Sequence, residues 1–118
     1  MGNFQLVTST SESYILFTLR GYLEQHGGDH VRERFEYFRQ AGFTAFIIDF
    51  SELELMGSPG LAALLAIAAR LVEEDDGDLA AFGFDKQTHT VLEMSSFFFL
   101  AQEATSLENA VELLFPQD

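Results

Sequence analysis

The sequence predicts a single α/β domain over residues 1–118, with a mixed sheet of four or five strands and about four helices packed on it. A chain of 118 residues fits one domain comfortably and two poorly. Strand-like and helix-like segments alternate from about residue 44, which is typical of parallel strands joined by right-handed crossovers. Only a short polar turn separates the first two strand-like segments, so we expect these two strands to be antiparallel.

The N-terminal part of the chain contains two predicted strands and a helix. Residues 4–9 form a short strand, and residues 14–23 form a denser run of β-branched and aromatic side chains. We expect Gly27-Gly28 to break the chain and Asp29 to cap the helix that follows. This helix ends at Gly42, and its apolar face consists of Val31, Phe35 and Phe38.

Residues 43–50 are apolar almost throughout, as expected for a strand buried on both faces. A loop follows, and then residues 61–72 form the clearest helix of the chain. The acidic residues 73–78 indicate an exposed turn. The later predicted elements are a strand over 79–84, a short helix over 88–94, a strand over 97–100 and a helix over 106–114, which Ser106 caps.

Composition excludes several classes of function. The chain has no cysteine, which removes disulfides, thiolate zinc sites and cysteine nucleophiles. A net charge of −13 argues against nucleic acid and anionic membranes as partners. It is typical of a soluble protein, or of one whose partner is basic. No apolar run approaches the ~20 residues that span a bilayer, and the first residues do not resemble a signal peptide. We therefore expect a cytoplasmic protein without direct membrane insertion.

The turn over residues 56–60 has the residues of a well-made helix entry. The Ser58 hydroxyl is expected to cap a free N–H, and Pro59 suits the first helical position. Gly57 and Gly60 allow unusual dihedrals and close approach by another surface. Such an entry is common in proteins, so its function depends on the helix that it starts.

That helix is predicted to have two contrasting faces. One face should lie on the sheet and consists of Leu61, Leu64, Leu65, Ala68 and Leu71. The opposite face is small and apolar, and consists of Ala62, Ala63, Ala66, Ile67, Ala69 and Arg70. The helix propensity of alanine explains part of this pattern but does not explain Ile67. An outward apolar face is usually covered, which predicts a partner protein.

Residues 46–65, FIIDFSELELMGSPGLAALL, resemble the signature of STAS domains, the bacterial anti-sigma-factor antagonists and their relatives. The family pattern is an apolar strand ending in Asp, a short loop, and Asp-Ser-Ser/Thr-Gly-Leu opening an apolar helix. Residues 19–24 are similar to the Leu-x-Gly-x-Leu-Asp motif of the family. Residues 91–94 and 106–110 resemble its third and fourth helices.

The resemblance implies a STAS-like, non-enzymatic module that binds a signalling protein and needs no cofactor. In the antagonists the partner is an anti-sigma factor with a histidine-kinase-like ATPase fold, which phosphorylates the second Ser/Thr of the motif. Here Gly57 replaces the motif Asp and Pro59 replaces the phosphoacceptor, so the usual switch is expected to be absent. The protein then binds constitutively, is controlled in another way, or has a partner that is not such a kinase. Ser58 matches the first Ser and remains a candidate phosphosite. The predicted partner-binding residues are Gly57, Ser58, Pro59, Gly60, Ala62, Ala63, Ala66, Ile67 and Arg70.

Other chemistries have weaker support. His26 and His30, with Asp29, suggest a metal site, but Gly27-Gly28 should spoil the helical spacing, so we expect exposed loop residues and no metal. His89 is expected on the surface of a short helix.

A catalytic Ser58 would need a base. Asp49 and Glu24 are expected near the turn, where two carboxylates would permit acid–base chemistry. The sequence lacks a nucleophile elbow, and we predict no catalytic residue and no enzyme.

Two alternatives remain open. The first is a STAS-type small-molecule or lipid-transport accessory domain that holds an anionic ligand at the helix N-terminus. The second concerns residues 97–99, three phenylalanines that cannot all face one core from a strand. Core packing is the simpler interpretation, and self-association or a hydrophobic ligand is the other.

Overall fold

The computed structural model describes residues 3–117. Its core is one five-stranded sheet in the order β1-β2-β3-β4-β5. The first two strands are antiparallel, and each later strand is parallel to its predecessor. The predicted mixed sheet is confirmed. The strands are β1 (Phe4–Thr10), β2 (Ile15–Leu23), β3 (Ala45–Met56), β4 (Asp78–Phe82) and β5 (Gln102–Glu103).

The four helices are α1 (Gln25–Gln40), α2 (Ser58–Ala69), α3 (Lys86–Met94) and α4 (Leu107–Leu114). A π-helical turn, Arg70–Glu74, extends α2. The N-terminus of α4 agrees with the sequence, because the Ser106 hydroxyl accepts a hydrogen bond from the Asn109 N–H at 3.0 Å. Within residues 3–117, no helix is both long enough and apolar enough to cross a membrane.

Helices cover both faces of the sheet. Helices α1, α2 and α3 contribute to the larger core on one face, while α4 contributes to a smaller core on the other. Alternation along β3 divides its side chains between the two, with Phe46 and Ile48 in the larger core and Ala45 and Ile47 in the smaller. This explains why β3 begins with four buried residues, as its apolar sequence predicts.

The predicted break at Gly27-Gly28 is wrong, because α1 begins at Gln25 and runs through both glycines. Glycine is needed there for close packing. A Cβ on Gly27 would lie 2.7 Å from the Phe4 ring, and a Cβ on Gly28 would lie 2.9 Å from that of Ala63. Asp29 is therefore not the N-cap.

The predicted strand over residues 97–100 is also wrong. Phe97–Phe99 form a 3₁₀ turn, and the edge strand β5 comes later. A 3₁₀ turn points successive side chains in three directions. Phe97 is accordingly fully buried, Phe98 half-buried and Phe99 exposed. The core interpretation holds for Phe97 and not for Phe99.

Strand β3 continues six residues beyond the predicted end at Phe50. Polar residues such as Glu52 and Glu54 hid this extension in the sequence. The long neighbouring strand supplies its backbone partners, since β2 pairs with β3 as far as Leu23 opposite Met56. The 56–60 turn thus directly follows a paired strand instead of ending a loop.

Candidate functional site

The 56–60 turn joins β3 to α2. Helix α2 begins at Ser58, one residue earlier than the start at Pro59 that the sequence predicts. Gly57 is the N-cap, with φ −89° and ψ 171°, and Ser58 and Pro59 are the first two helical residues. No side chain caps this helix, so the predicted capping role of Ser58 is wrong. Pro59 still fits, since the N–H groups of a first helical turn have no partner within the helix. Both Ser58 and Pro59 are exposed.

The end of β2 holds the turn in place. The Leu23 carbonyl oxygen accepts a hydrogen bond from the Gly57 N–H at 2.8 Å. Gly60 passes so close to the same residue that a Cβ there would lie 2.5 Å from the Leu23 oxygen. Gly60 is therefore buried by its own domain and is unavailable for contact with a partner.

The two carboxylates expected near the turn do not lie together. Glu24 lies beside it, since a Cβ on Gly57 would be 3.6 Å from the Glu24 Cγ. Asp49 precedes Met56 by seven residues of the same strand, a distance of roughly 23 Å in extended chain. The Asp49 carboxylate instead accepts a hydrogen bond from the Ser51 N–H at 2.8 Å. The proposed pair for acid–base chemistry is thus wrong.

Fewer residues are exposed on the outer face of α2 than the sequence predicts. Ala62 and Ala66 are exposed, and Ala69 and Arg70 are partly buried. Ala63 and Ile67, by contrast, are only 1% and 5% exposed, which contradicts their predicted outward position. The sequence did not reveal that α1 lies against this flank of α2.

Two contacts show how α1 covers these residues. Gly28 packs on Ala63, and Phe35 lies beside Ile67 along a shallow depression between the helices. Ile67 therefore needs no external partner to cover it. The argument for a partner from Ile67 is wrong, and only the stripe of Ser58, Pro59, Ala62 and Ala66 is exposed on α2.

An ion-pair network fixes the far end of α2 to α1. Arg70 pairs with Glu36 on α1 and with Asp75 at 3.2 Å. Arg39, also on α1, reaches the Asp75 carboxylate at 2.9 Å and the Phe43 carbonyl oxygen at 2.7 Å. The hydrogen bond from Arg39 lowers the pKa of Asp75 below its ordinary value, and the charges of both arginines add to this effect. Arg70 is thus engaged within the domain.

His26 and His30 are exposed and His89 lies on the short helix α3, as the sequence predicts, but the local setting of each histidine differs from the prediction. His26 and His30 are one helical turn apart on α1 and exposed, so the objection that the glycines disturb their spacing is wrong. Among the described residues no group of three or more metal-binding side chains is arranged to hold an ion. His89 is partly buried between Phe84 and Phe98, and its Nε2 lies 2.9 Å from the Glu103 carboxylate.

An antiparallel strand pair, parallel crossovers and a helix that starts directly after β3 define the class of this protein as a mixed α/β domain. The chain belongs to the STAS domain family, whose model matches residues 5–112. Its sequence matches no curated protein.

Solved structures agree in fold. An anti-sigma factor antagonist from Mycobacterium paratuberculosis has a TM-score of 0.82 at 14% identity, with coverage of 95% of this chain and 94% of that one. SpoIIAA in its unphosphorylated form has a TM-score of 0.78 at 21% identity, with 98% and 99% covered. The phosphorylated form of SpoIIAA, a Bacillus cell fate determinant, has a TM-score of 0.71 at 22% identity, with 94% and 98% covered.

Proposed function

We propose that this protein is a non-enzymatic regulatory module that binds an anti-sigma factor or a related signalling kinase through the 56–60 turn and the exposed stripe of α2. Membership of the STAS family supports a regulatory module, and the antagonists among its structural neighbours support the class of partner. The proposal includes a bacterial, cytoplasmic setting and a role in transcription regulation.

The single observation that carries the proposal is the exposed stripe itself. Pro59, Ala62 and Ala66 follow one another at helical spacing on one side of α2, and Ser58 lies at its start. Their short side chains leave the helix backbone accessible to a flat partner surface. The other flanks of α2 are buried against the sheet and α1. A partner would therefore contact Ser58, Pro59, Ala62 and Ala66, with Gly57 at the start of the stripe, while Arg70 at its far end is held by the ion pairs of the domain.

The proposal includes the absence of the usual phosphorylation switch. Pro59 occupies the position that the family resemblance assigns to the phosphoacceptor, and proline has no hydroxyl. In a protein with a hydroxyl there, phosphorylation would add about −1.5 to −2 charges to a tight contact. Phosphorylation of residue 59 then cannot regulate the binding of a partner by this chain.

A direct binding measurement tests the proposal. The partner to use is the kinase-fold anti-sigma factor encoded nearest to the gene of this protein, titrated by isothermal calorimetry. Ala62→Glu should weaken binding at least tenfold, because it places a long charged side chain in the contact. Ala41→Glu is the matched control, since Ala41 is exposed beyond the end of α1 and away from the stripe. Equal affinity of the two variants would contradict the proposed surface.

The anionic-ligand alternative has less support. The Gly57 N–H at the start of α2 already donates to Leu23, and Glu24 lies beside the turn. Pro59 contributes no N–H. These features leave fewer free donors for an anion and add a negative side chain, so we do not propose this function.

A further inference from the structure

Three apolar side chains remain exposed on a surface next to the 56–60 turn. Leu55, near the end of β3, is 46% exposed, while Val91 and Met94 on α3 are 38% and 80% exposed. Val91 and Met94 are three residues apart and so share one side of α3. Leu92, on the other side, is fully buried and anchors the helix to the core. We refer to Leu55, Val91 and Met94 as the α3 patch.

A small notch lies within the patch. Leu55 and Val91 line it together with Met56 and Thr88, and its volume is about 40 Å³. A cavity needs roughly 10–15 Å³ on this measure to hold one water molecule, so the notch has room for the tip of an aliphatic side chain. An apolar side chain inserted here would contact both β3 and α3.

The rim of the notch is acidic. Glu54 and Asp85 line it. Asp85 is held in position because its carboxylate accepts a hydrogen bond from the Thr88 N–H at 2.7 Å. Lys86 is the only cationic residue of α3. Two carboxylates, those of Glu54 and Asp85, thus line the notch beside Leu55, Met56 and Val91, on a chain of net charge −13.

The negative charge around the notch favours a cationic binding partner over a second copy of this chain. A second copy of the chain would bring the same net charge of −13 and the same acidic rim, and like charges in close contact oppose association. In a cationic segment with an aliphatic side chain, the positive charges would pair with the acidic rim and the aliphatic side chain would enter the notch. We propose that the α3 patch docks a basic amphipathic segment of a partner protein. This surface adjoins the 56–60 turn, because Met56 lines the notch, but it includes no residue of the exposed stripe of α2. The peptide titration below therefore succeeds or fails independently of the calorimetry that tests the proposed function.

A peptide titration tests the inference without a known partner. The probe is a 16-residue synthetic helix with leucine at helical spacing and lysine elsewhere, added to ¹⁵N-labelled protein and followed by amide chemical shifts. The expected shifts centre on Leu55, Thr88, Val91 and Met94. Leu55→Ser and Met94→Ser should each weaken binding roughly fivefold to tenfold. Both residues are exposed, so both variants should fold. Tyr37→Ser, which changes an exposed side chain on α1, is the matched control and should leave the affinity unchanged.

Two further probes make the result decisive. Replacing each leucine of the peptide by serine should abolish the localised shifts, and replacing each lysine by glutamate should do the same. Equal binding by the serine peptide, with shifts spread over all acidic surfaces, would overturn the inference in favour of non-specific charge attraction. Sedimentation velocity that detects a dimer of the protein, dissociated by Leu55→Ser, would overturn it in favour of a second copy.

Discussion

Gly60 lies directly against Leu23, and a Cβ on Gly60 would be only 2.5 Å from the Leu23 carbonyl oxygen. The obstructing atom belongs to the backbone of β2, which at Leu23 is paired with Met56 of β3. The close contact at Gly60 therefore sets how near the first turn of α2 lies to the end of β2. The position of the exposed stripe depends on this contact.

Gly60→Ala should consequently destabilise the fold by about 1–3 kcal/mol, because either α2 or the end of β2 must shift. Urea unfolding followed by circular dichroism measures the change. Gly57→Ala is the matched control. Its Cβ would meet the Glu24 Cγ at an ordinary 3.6 Å, so it should cost less than about 1 kcal/mol, the typical loss for alanine at an N-cap. Similar losses for the two variants would contradict the close contact.

The buried flank of α2 gives a second prediction. Ile67→Ala should lower the free energy of unfolding by about 2–5 kcal/mol, because it leaves a cavity between α2 and α1. Ala66→Ser, one residue earlier and exposed, should change it by less than about 1 kcal/mol. Thermal unfolding of both variants distinguishes the two flanks. A small effect of Ile67→Ala would mean that this side chain faces solvent, as the sequence alone suggested.

Asp75 gives a prediction about pH. Its pKa is lowered in the folded protein, so the folded state binds fewer protons than the unfolded state around the ordinary pKa of 3.8. The stabilisation from Asp75 is therefore complete above that pH and is lost as pH falls through the lowered pKa. Asp75→Asn should be less stable than the wild type at pH 6, and the difference should shrink towards pH 2. Urea unfolding at several pH values measures this difference.

The cause of that pKa shift can be tested separately. Arg39→Gln should raise the pKa of Asp75 towards its ordinary value, because the hydrogen bond from Arg39 is the largest cause of the shift. Arg34→Gln is the control, since Arg34 stacks on Tyr37 and Phe38 instead. Carboxyl carbon NMR titration reads the Asp75 pKa directly. No change in Arg39→Gln would exclude the proposed cause.

The missing phosphoacceptor gives a prediction about modification. Incubation with ATP and the anti-sigma kinase should leave residue 59 of the wild type without phosphate. Pro59→Ser should restore phosphorylation there, since it returns a hydroxyl to the exposed first turn of α2. Tandem mass spectrometry locates the phosphate, and Pro59→Ala provides the control without a hydroxyl. Stoichiometric phosphate on Ser58 of the wild type would contradict the proposal that this protein lacks a phosphorylation switch.

The sequence predicted features that depend on local pattern. The sequence of residues 43–50 predicts a strand buried on both faces because nearly every side chain there is apolar, and β3 confirms this. The Ser106 cap was also predictable, because the capping contact joins residues three apart. The family resemblance rested on a contiguous motif and is confirmed over residues 5–112.

Several of the errors share one physical cause, which is contact between residues distant in the chain, whereas the Ser58 cap and the strand over 97–100 were errors of local pattern. Ile67 looked outward because nothing nearby in the sequence reveals that α1 lies on that flank. Gly27-Gly28 looked like a break because their need for space comes from Phe4 and Ala63. Asp49 was expected near the turn because the extension of β3 depends on pairing with β2. The α3 patch has only a weak signal in the sequence, which is the helical spacing of Val91 and Met94, because Leu55 joins it from a distant strand.

Because α2 is buried on two flanks, only a few of its positions could change to give a different partner preference. Four of its residues are exposed, Ser58, Pro59, Ala62 and Ala66, and the described side chains of the core do not include them. These four positions can be randomised together in a display library with little risk to folding. A change of partner preference would then require only a few codons, while the neighbouring codons for Gly60, Ala63 and Ile67 stay under selection for folding.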